Sequence, residues 1–291
     1  MASCIHFANR ALRGVGTPAL LWKLLVISQS LLSIWLVQAT QHNPSLTLLA
    51  VVVWGGAAIC IEDELERLQL RPSRASTVVG FSLLGYTTWR SGRIMDVETV
   101  SLILPLLQGV GLGLLVMPMR QLRRWREPLV VLALLPLQTV ASRLLPDFWL
   151  SSITARLSQT LLLLFGENAV VSGRTVTLGE RGVYIAGYCN SVDLIAQLTA
   201  IACVFALAFP IRQRLTRLLF ISAAPLIAVS VNACRIAILA VLNSKGSEYS
   251  SKLFTFLHDE WGALVFAGLA TTILGRLYLI LINRELRRSH G

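Results

Sequence analysis

The chain has 291 residues, 55% of them hydrophobic and only 14% charged, with a formal net charge of +11. A mean hydropathy of +0.67 and so little charge, against about a quarter in soluble globular domains, exclude an ordinary soluble fold and define a polytopic membrane protein. The positive charge lies in short Lys/Arg clusters between apolar runs, not in one stripe, which argues against a nucleic-acid partner and for a topology signal.

The first predicted span, 18–38, follows Arg10 and Arg13. A small-residue site at Val37 and Ala39 raises the alternative of a cleaved signal peptide, but the apolar run is too long for an h-region, so an uncleaved span is predicted. Further spans follow at 46–61, 76–88, 97–117 and 128–145, of which 76–88 is short against the roughly 20 residues a crossing needs. In 148–165 the apolar residues Trp149, Ile153, Leu157, Leu161 and Leu164 recur at helical spacing, with Ser151, Ser152, Arg156, Ser158 and Gln159 on the other side. That is the pattern of an amphipathic helix lying in the membrane interface; a ninth crossing is the alternative. The stretch 166–188 is predicted to form short strands in a hairpin, at 168–171, 174–178 and 183–186, because Val, Thr, Tyr and Ile are punctuated there by Ser172-Gly173 and Gly179. Spans at 190–210, 218–243 and 257–283 complete eight crossings.

Alternate connections differ in basic residues: fifteen Lys and Arg lie on one side, including Arg120, Arg123, Arg124 and Arg126, and seven on the other. The richer side is predicted to be cytoplasmic, which places the strands and residue 189 outside. The expected fold is therefore an all-α polytopic membrane protein, with about eight transmembrane helices, one interfacial amphipathic helix and a small extracytoplasmic β-hairpin. It forms one integral membrane domain over 1–291: five spans in 1–147, the interfacial helix and exterior β element in 148–188, and a three-span core in 189–291. Five cysteines (Cys4, Cys60, Cys189, Cys203, Cys234) show no CxxC pair and no metal-type spacing, so neither a metal site nor a disulfide framework is predicted.

Reactive and charged residues at membrane depth point to function, since burying them is costly. Cys189 stands at the outer mouth of the sixth predicted span, with Asp193 and Gln197 following on one helical face. Arg235 lies about eight residues inside the seventh span, roughly 12 Å below its outer end, from where its side chain can climb toward the surface. His258 is predicted in the first turn of the eighth. If the three converge, the thiol is a nucleophile, the imidazole its base and later the acid for a leaving amine, and the guanidinium steadies a thiolate or an oxyanion. Asn232, Asn190 and Asp193 are candidate supporting residues. Taken singly, each has a plainer reading: a packing cysteine, an interfacial histidine, an arginine paired with Asp193.

Three runs carry a resemblance: Gly187-Tyr188-Cys189-Asn190-Ser191 at the head of a span, Val231-Asn232-Ala233-Cys234-Arg235-Ile236 within the next, and His258-Asp259-Glu260-Trp261-Gly262 at the start of the last. In order, spacing and context they resemble the exosortase/archaeosortase family, most clearly over 166–275. The resemblance implies a bacterial inner-membrane cysteine transpeptidase, multi-pass, with its active site on the extracytoplasmic side and no metal or organic cofactor. Its partners would be exported proteins bearing a C-terminal tripartite sorting signal, typically of the PEP-CTERM kind, within the lipid bilayer. By motif match Cys189, Arg235 and His258 would be the catalytic residues. Asn190-Ser191 stands where the family usually has Ser-Gly, which points to a divergent branch such as the cyanobacterial ones. Two other classes compete: a transporter or channel with a polar path lined by Arg235, Asp193 and Gln197, and a non-catalytic membrane assembly factor.

Overall fold

The computed structural model describes residues 17–67, 72–93, 100–144, 147–185, 191–208, 211 and 213–290. In chain order the elements are α1 (Thr17–Gln41), α2 (Pro44–Arg67), α3 (Arg74–Ser91), α4 (Val100–Leu114), a 3-10 helix (Met119–Trp125), α5 (Arg126–Leu144) and α6 (Asp147–Leu164). Strands β1 (Ala169–Ser172), β2 (Thr175–Leu178) and β3 (Arg181–Tyr184) follow, then α7 (Val192–Ala208), α8 (Arg214–Lys245), α9 (Glu248–His258) and α10 (Glu260–His290).

Three helices are long and apolar enough to cross a membrane: Leu20–Gln41 in α1, Arg214–Lys245, and Trp261–Glu285 in α10. Shorter apolar helices cover Leu46–Glu62, Val100–Leu114 and Val192–Leu207. The protein is thus mostly helical, with three candidate spans among its described residues and a small sheet. The apolar runs predicted as eight spans all lie largely in helices, but among the described residues three of those helices reach spanning length and hydropathy.

The chain divides into two compact units, residues 1–41 with 70–123, and residues 42–69 with 124–291. In the first, α1 and α4 are joined through polar side chains. Trp22 Nε1 donates to the Leu112 carbonyl at 3.2 Å, Ser33 pairs with Gln108, and Gln41 Nε2 donates to Ser101 Oγ at 2.9 Å. Such bonds suit helices in lipid, where burial of apolar surface gives no contrast with the solvent. The α3 and α4 backbones approach at Gly80 and Gly111, where a β-carbon on Gly80 would come 2.9 Å from the Gly111 carbonyl oxygen.

The second unit holds the two cores that position the candidate site. One is built by α7, α8 and α10 around Leu198, Phe220, Ala228 and Leu274, with Tyr278 packed between Phe205 and Phe220 at ring distances of 5.3 and 5.6 Å. The other joins α6, the sheet and α8 through Ala155, Leu162, Val176, Val183, Ile185 and Ile236. The predicted hairpin is a three-stranded antiparallel meander in the order β1-β2-β3. Its pairings, Ser172 with Thr175 and Leu178 with Arg181, leave two-residue loops that begin with Gly173 at φ 60° and Gly179 at φ 65°. Glycine at the first loop position supplies the turn whose twist matches the strands. Val176 and Leu178 alternate into the core as a half-buried strand requires. The sheet is fastened to the end of α8, where Asn243 Nδ2 donates to the Gly182 carbonyl and Arg181 Nη1 to the Asn243 carbonyl, at 3.1 and 3.2 Å.

Two sequence expectations change. The last predicted span, 257–283, is not continuous: Asp259, with ψ 178°, breaks it into α9 and α10. Helix α9 starts independently, its Ser247 side chain accepting from the Ser250 N–H at 3.1 Å, an N-cap that satisfies an otherwise orphaned donor. In α6 the predicted polar side is divided: its small residues Ser151 and Ser158 face the protein, while Arg156 is exposed. Ser151, Thr154, Ala155 and Ser158 are fully buried, whereas Trp149 and Leu164 are 68% and 78% exposed.

Candidate active site

One turn of α8 is the organising element. Asn232 and Arg235 stand three residues apart, hence on one helical face, and both are buried. Asn232 Nδ2 donates to Ser191 Oγ at 3.1 Å, and Ser191 Oγ shares a 3.0 Å hydrogen bond with Thr154 Oγ1 of α6. Ser158, one turn further along α6, donates to the Ala233 carbonyl at 2.9 Å. Ser191 also immediately precedes α7, its carbonyl accepting from the Ile195 N–H at 2.8 Å. The head of α7 is therefore tied to α6 and α8 through fully buried hydroxyls, bonds whose loss leaves desolvated polar atoms unpaired.

Arg235 reaches the other way. Its Nε donates to the Leu257 carbonyl at 3.0 Å and its Nη2 to the His258 carbonyl at 2.7 Å. The last carbonyls of a helix lack intrahelical partners and carry the negative end of its dipole, so the C-terminus of α9 suits the guanidinium of Arg235, a residue only 6% exposed. The His258 ring stacks on Phe254, one turn earlier, at 5.5 Å between centroids and 16° between planes. Its Nδ1 lies 4.0 Å from Asp259 Oδ1. The Asp259 N–H bonds back to the Thr255 carbonyl and its carbonyl accepts from Ala263, closing the corner between α9 and α10 at 3.0 and 3.1 Å. Gly262 packs so tightly that a β-carbon there would collide with the Leu257 backbone.

Of the residues singled out in the sequence, Arg235 and His258 are brought together, through the histidine backbone. His258 closes α9 and does not open the last span. Asn232 meets Ser191, two residues beyond Cys189, while Cys189 and Asn190 lie outside the described residues. Asp193 sits in the first turn of α7, where a carboxylate is favoured by the helix dipole, and Gln197 is buried one turn on. Cys234, between Asn232 and Arg235, is exposed. Among the described residues no group of His, Cys, Asp and Glu is placed to hold a metal ion.

Sequence reasoning missed Thr154, Ser158, Phe254 and the steric role of Gly262. A signal for the first two was available: Ser151, Thr154 and Ser158 share a helical stripe of small hydroxyl residues, which pack closely and hydrogen-bond between membrane helices. Phe254 and His258 stand four apart on a helix whose N-cap, Ser247, is also legible.

With this geometry in place, comparison with known proteins identifies the class. A family model described as transmembrane exosortase (Exosortase_EpsH) matches residues 35–275. The match covers most of the chain and contains both tethered segments, and the protein belongs to the transmembrane exosortase family. No curated protein and no solved structure matches it.

Proposed function

We propose that this exosortase-family protein is a membrane-embedded cysteine transpeptidase that cleaves the C-terminal sorting signal of exported proteins, typically of the PEP-CTERM kind. The observation that carries the reading is the single turn of α8 from which Asn232 holds the chain two residues beyond Cys189 and Arg235 holds the backbone of His258. A nucleophile and its base must be held in register, and one rigid turn tethering both neighbourhoods favours that arrangement.

In the proposed reaction the Cys189 sulfur attacks the scissile carbonyl carbon while His258 takes the thiol proton. Collapse of the tetrahedral intermediate breaks the C–N bond, and His258 returns the proton to the leaving amine. The result is a thioester on Cys189 and a released tail. An acceptor amine, or water, then attacks the thioester carbonyl, its proton passes through His258, and the thiol is regenerated. Arg235 supplies a fixed positive charge that an arginine keeps even when buried. Asp193, Asn190 and Asn232 support the site, and no metal or organic cofactor takes part. On this reading the chain crosses a bacterial inner membrane eight times, 148–165 lies in the interface, and the site faces the extracytoplasmic side.

The test is co-expression with an exported protein bearing a tagged C-terminal sorting signal. Cys189→Ala should abolish tail release, by roughly 1,000-fold or more, and Arg235→Ala and His258→Ala should each reduce it severely. Processing that survives all three changes would refute the mechanism.

A further inference from the structure

We infer that Arg235 is a positioning residue: it acts on the reaction through the corner between α9 and α10, by fixing the backbone of Leu257 and His258 and thereby the point from which the imidazole leaves the chain. The inference rests on the proposed pairing of Cys189 with His258. It gives Arg235 a different task from steadying charge on sulfur or oxygen.

Three observations carry it. The guanidinium engages two successive carbonyls, those of Leu257 and His258, with two different nitrogens at 3.0 and 2.7 Å. A planar fork can meet two acceptors set one residue apart, whereas the compact ammonium of a lysine is a point donor on a flexible stem. These carbonyls belong to the last turn of α9, immediately before Asp259 turns the chain out of the helix with ψ 178°, so the atoms held are those that must find partners outside the helix.

The same corner is also closed by a contact without charge. Gly262, in the first turn of α10, lies directly on the backbone of Leu257, leaving no room for a β-carbon. Leu257 is thus held by the guanidinium of α8 and by the backbone of α10, and the His258 backbone follows it. The third observation concerns the ring, which lies nearly parallel to Phe254 of its own helix, 16° between planes. Its plane is set within α9, so its location is set by whatever anchors the end of α9. Asp259 Oδ1 lies 4.0 Å from the ring's Nδ1. Because Asn232 on the same turn of α8 holds Ser191, moving the corner shifts the imidazole relative to the segment that bears Cys189. A displacement of about 1 Å between reacting groups can cost roughly 100-fold in rate.

The experiment uses the purified full-length protein in detergent and iodoacetamide as the probe. The alkylation rate of Cys189 is followed by mass spectrometry between about pH 6 and pH 9, spanning the ordinary imidazole and thiol ranges. His258→Ala sets the profile of a thiol without its base. The inference expects Arg235→Lys to fail to rescue: with its charge kept, it should lose most of the His258-dependent rate, as Arg235→Gln does. Gly262→Ala, which changes no charge, should produce the same profile, and the Arg235→Gln/Gly262→Ala double variant should be no worse than either single one, because both act on one corner. In hydrogen exchange the amides of Asp259 and Ala263 should lose protection in all these variants.

A wild-type profile in Arg235→Lys alongside a slow Arg235→Gln would overturn the inference in favour of a purely electrostatic role. So would a wild-type profile in Gly262→Ala, which decides alone where an Arg235 variant does not fold. If His258→Ala leaves the wild-type profile intact, the proposed pairing itself is wrong, an outcome separate from the failure of Arg235 as its anchor.

Discussion

Asn232 and Cys234 stand two residues apart on α8 and meet opposite surroundings. Asn232 is buried and bonded to Ser191, whereas Cys234 is exposed. Asn232→Ala removes a donor from a buried hydroxyl pair and should cost about 1–3 kcal/mol, read as a lowered midpoint of thermal unfolding in detergent. Thr154→Val, which deletes the other partner of Ser191, should cost a similar amount. Cys234→Ser should stay within about 0.5 kcal/mol. A neutral Asn232→Ala would mean that the head of α7 is held by something else. Chain order alone marks both positions as parts of one short motif. Which of them faces inward depends on the helices packed against α8.

Between elements, close approach decides more than hydropathy. At Gly56 of α2, an added β-carbon would collide with the Val204 side chain of α7, so that side chain packs directly on the α2 backbone. Gly56→Ala should therefore destabilise by about 1–3 kcal/mol through overpacking, and Val204→Ala in the same chain should recover much of the loss. A double-mutant cycle by thermal unfolding checks this, since contacting residues couple and distant ones add. The sheet offers a separate test, because Gly179 sits at φ 65°. Gly179→Ala should cost about 1–2 kcal/mol, the penalty of a left-handed backbone for a residue with a β-carbon. An unchanged midpoint would rule out the turn as a constraint.

The strands were legible because glycine punctuation and alternation are local signals. The break at Asp259 was not read, because the polar run His258-Asp259-Glu260 suits the head of a span as well as a corner between two helices, and only the N-cap at Ser247 marks a separate helix. The destination of the α6 hydroxyls was hidden for a different reason. An amphipathic pattern states that two faces differ, while in a membrane protein the surrounding lipid accepts the apolar face and the protein interior the small polar one. Trp149 and Leu164 are accordingly exposed, and Ser158 is buried against α8.

At the scale of the molecule, orientation in the membrane is the property most open to direct measurement. The asymmetry of Lys and Arg predicts that the segment after Asn283, at the end of α10, is cytoplasmic and that Cys189 opens to the other side. A membrane-impermeant maleimide applied to intact cells should label Cys189, and a cytoplasmic reporter fused after Gly291 should be active. Absence of labelling, with labelling restored in permeabilised cells, would reverse the orientation and put the site on the cytoplasmic face.

Composition alone determined that the chain is a membrane protein, because 14% charged residues cannot clothe a soluble surface of this size. Three short motifs determined the family, and the family model over residues 35–275 agrees. Only the tertiary structure decided that Arg235 grips the carbonyls of Leu257 and His258, that Gly262 leaves no space beside them, and that Thr154 belongs with Ser191. Spacing along a helix fixes which residues share a face. The partner of that face is fixed by packing between segments far apart in the chain, and no local pattern encodes it.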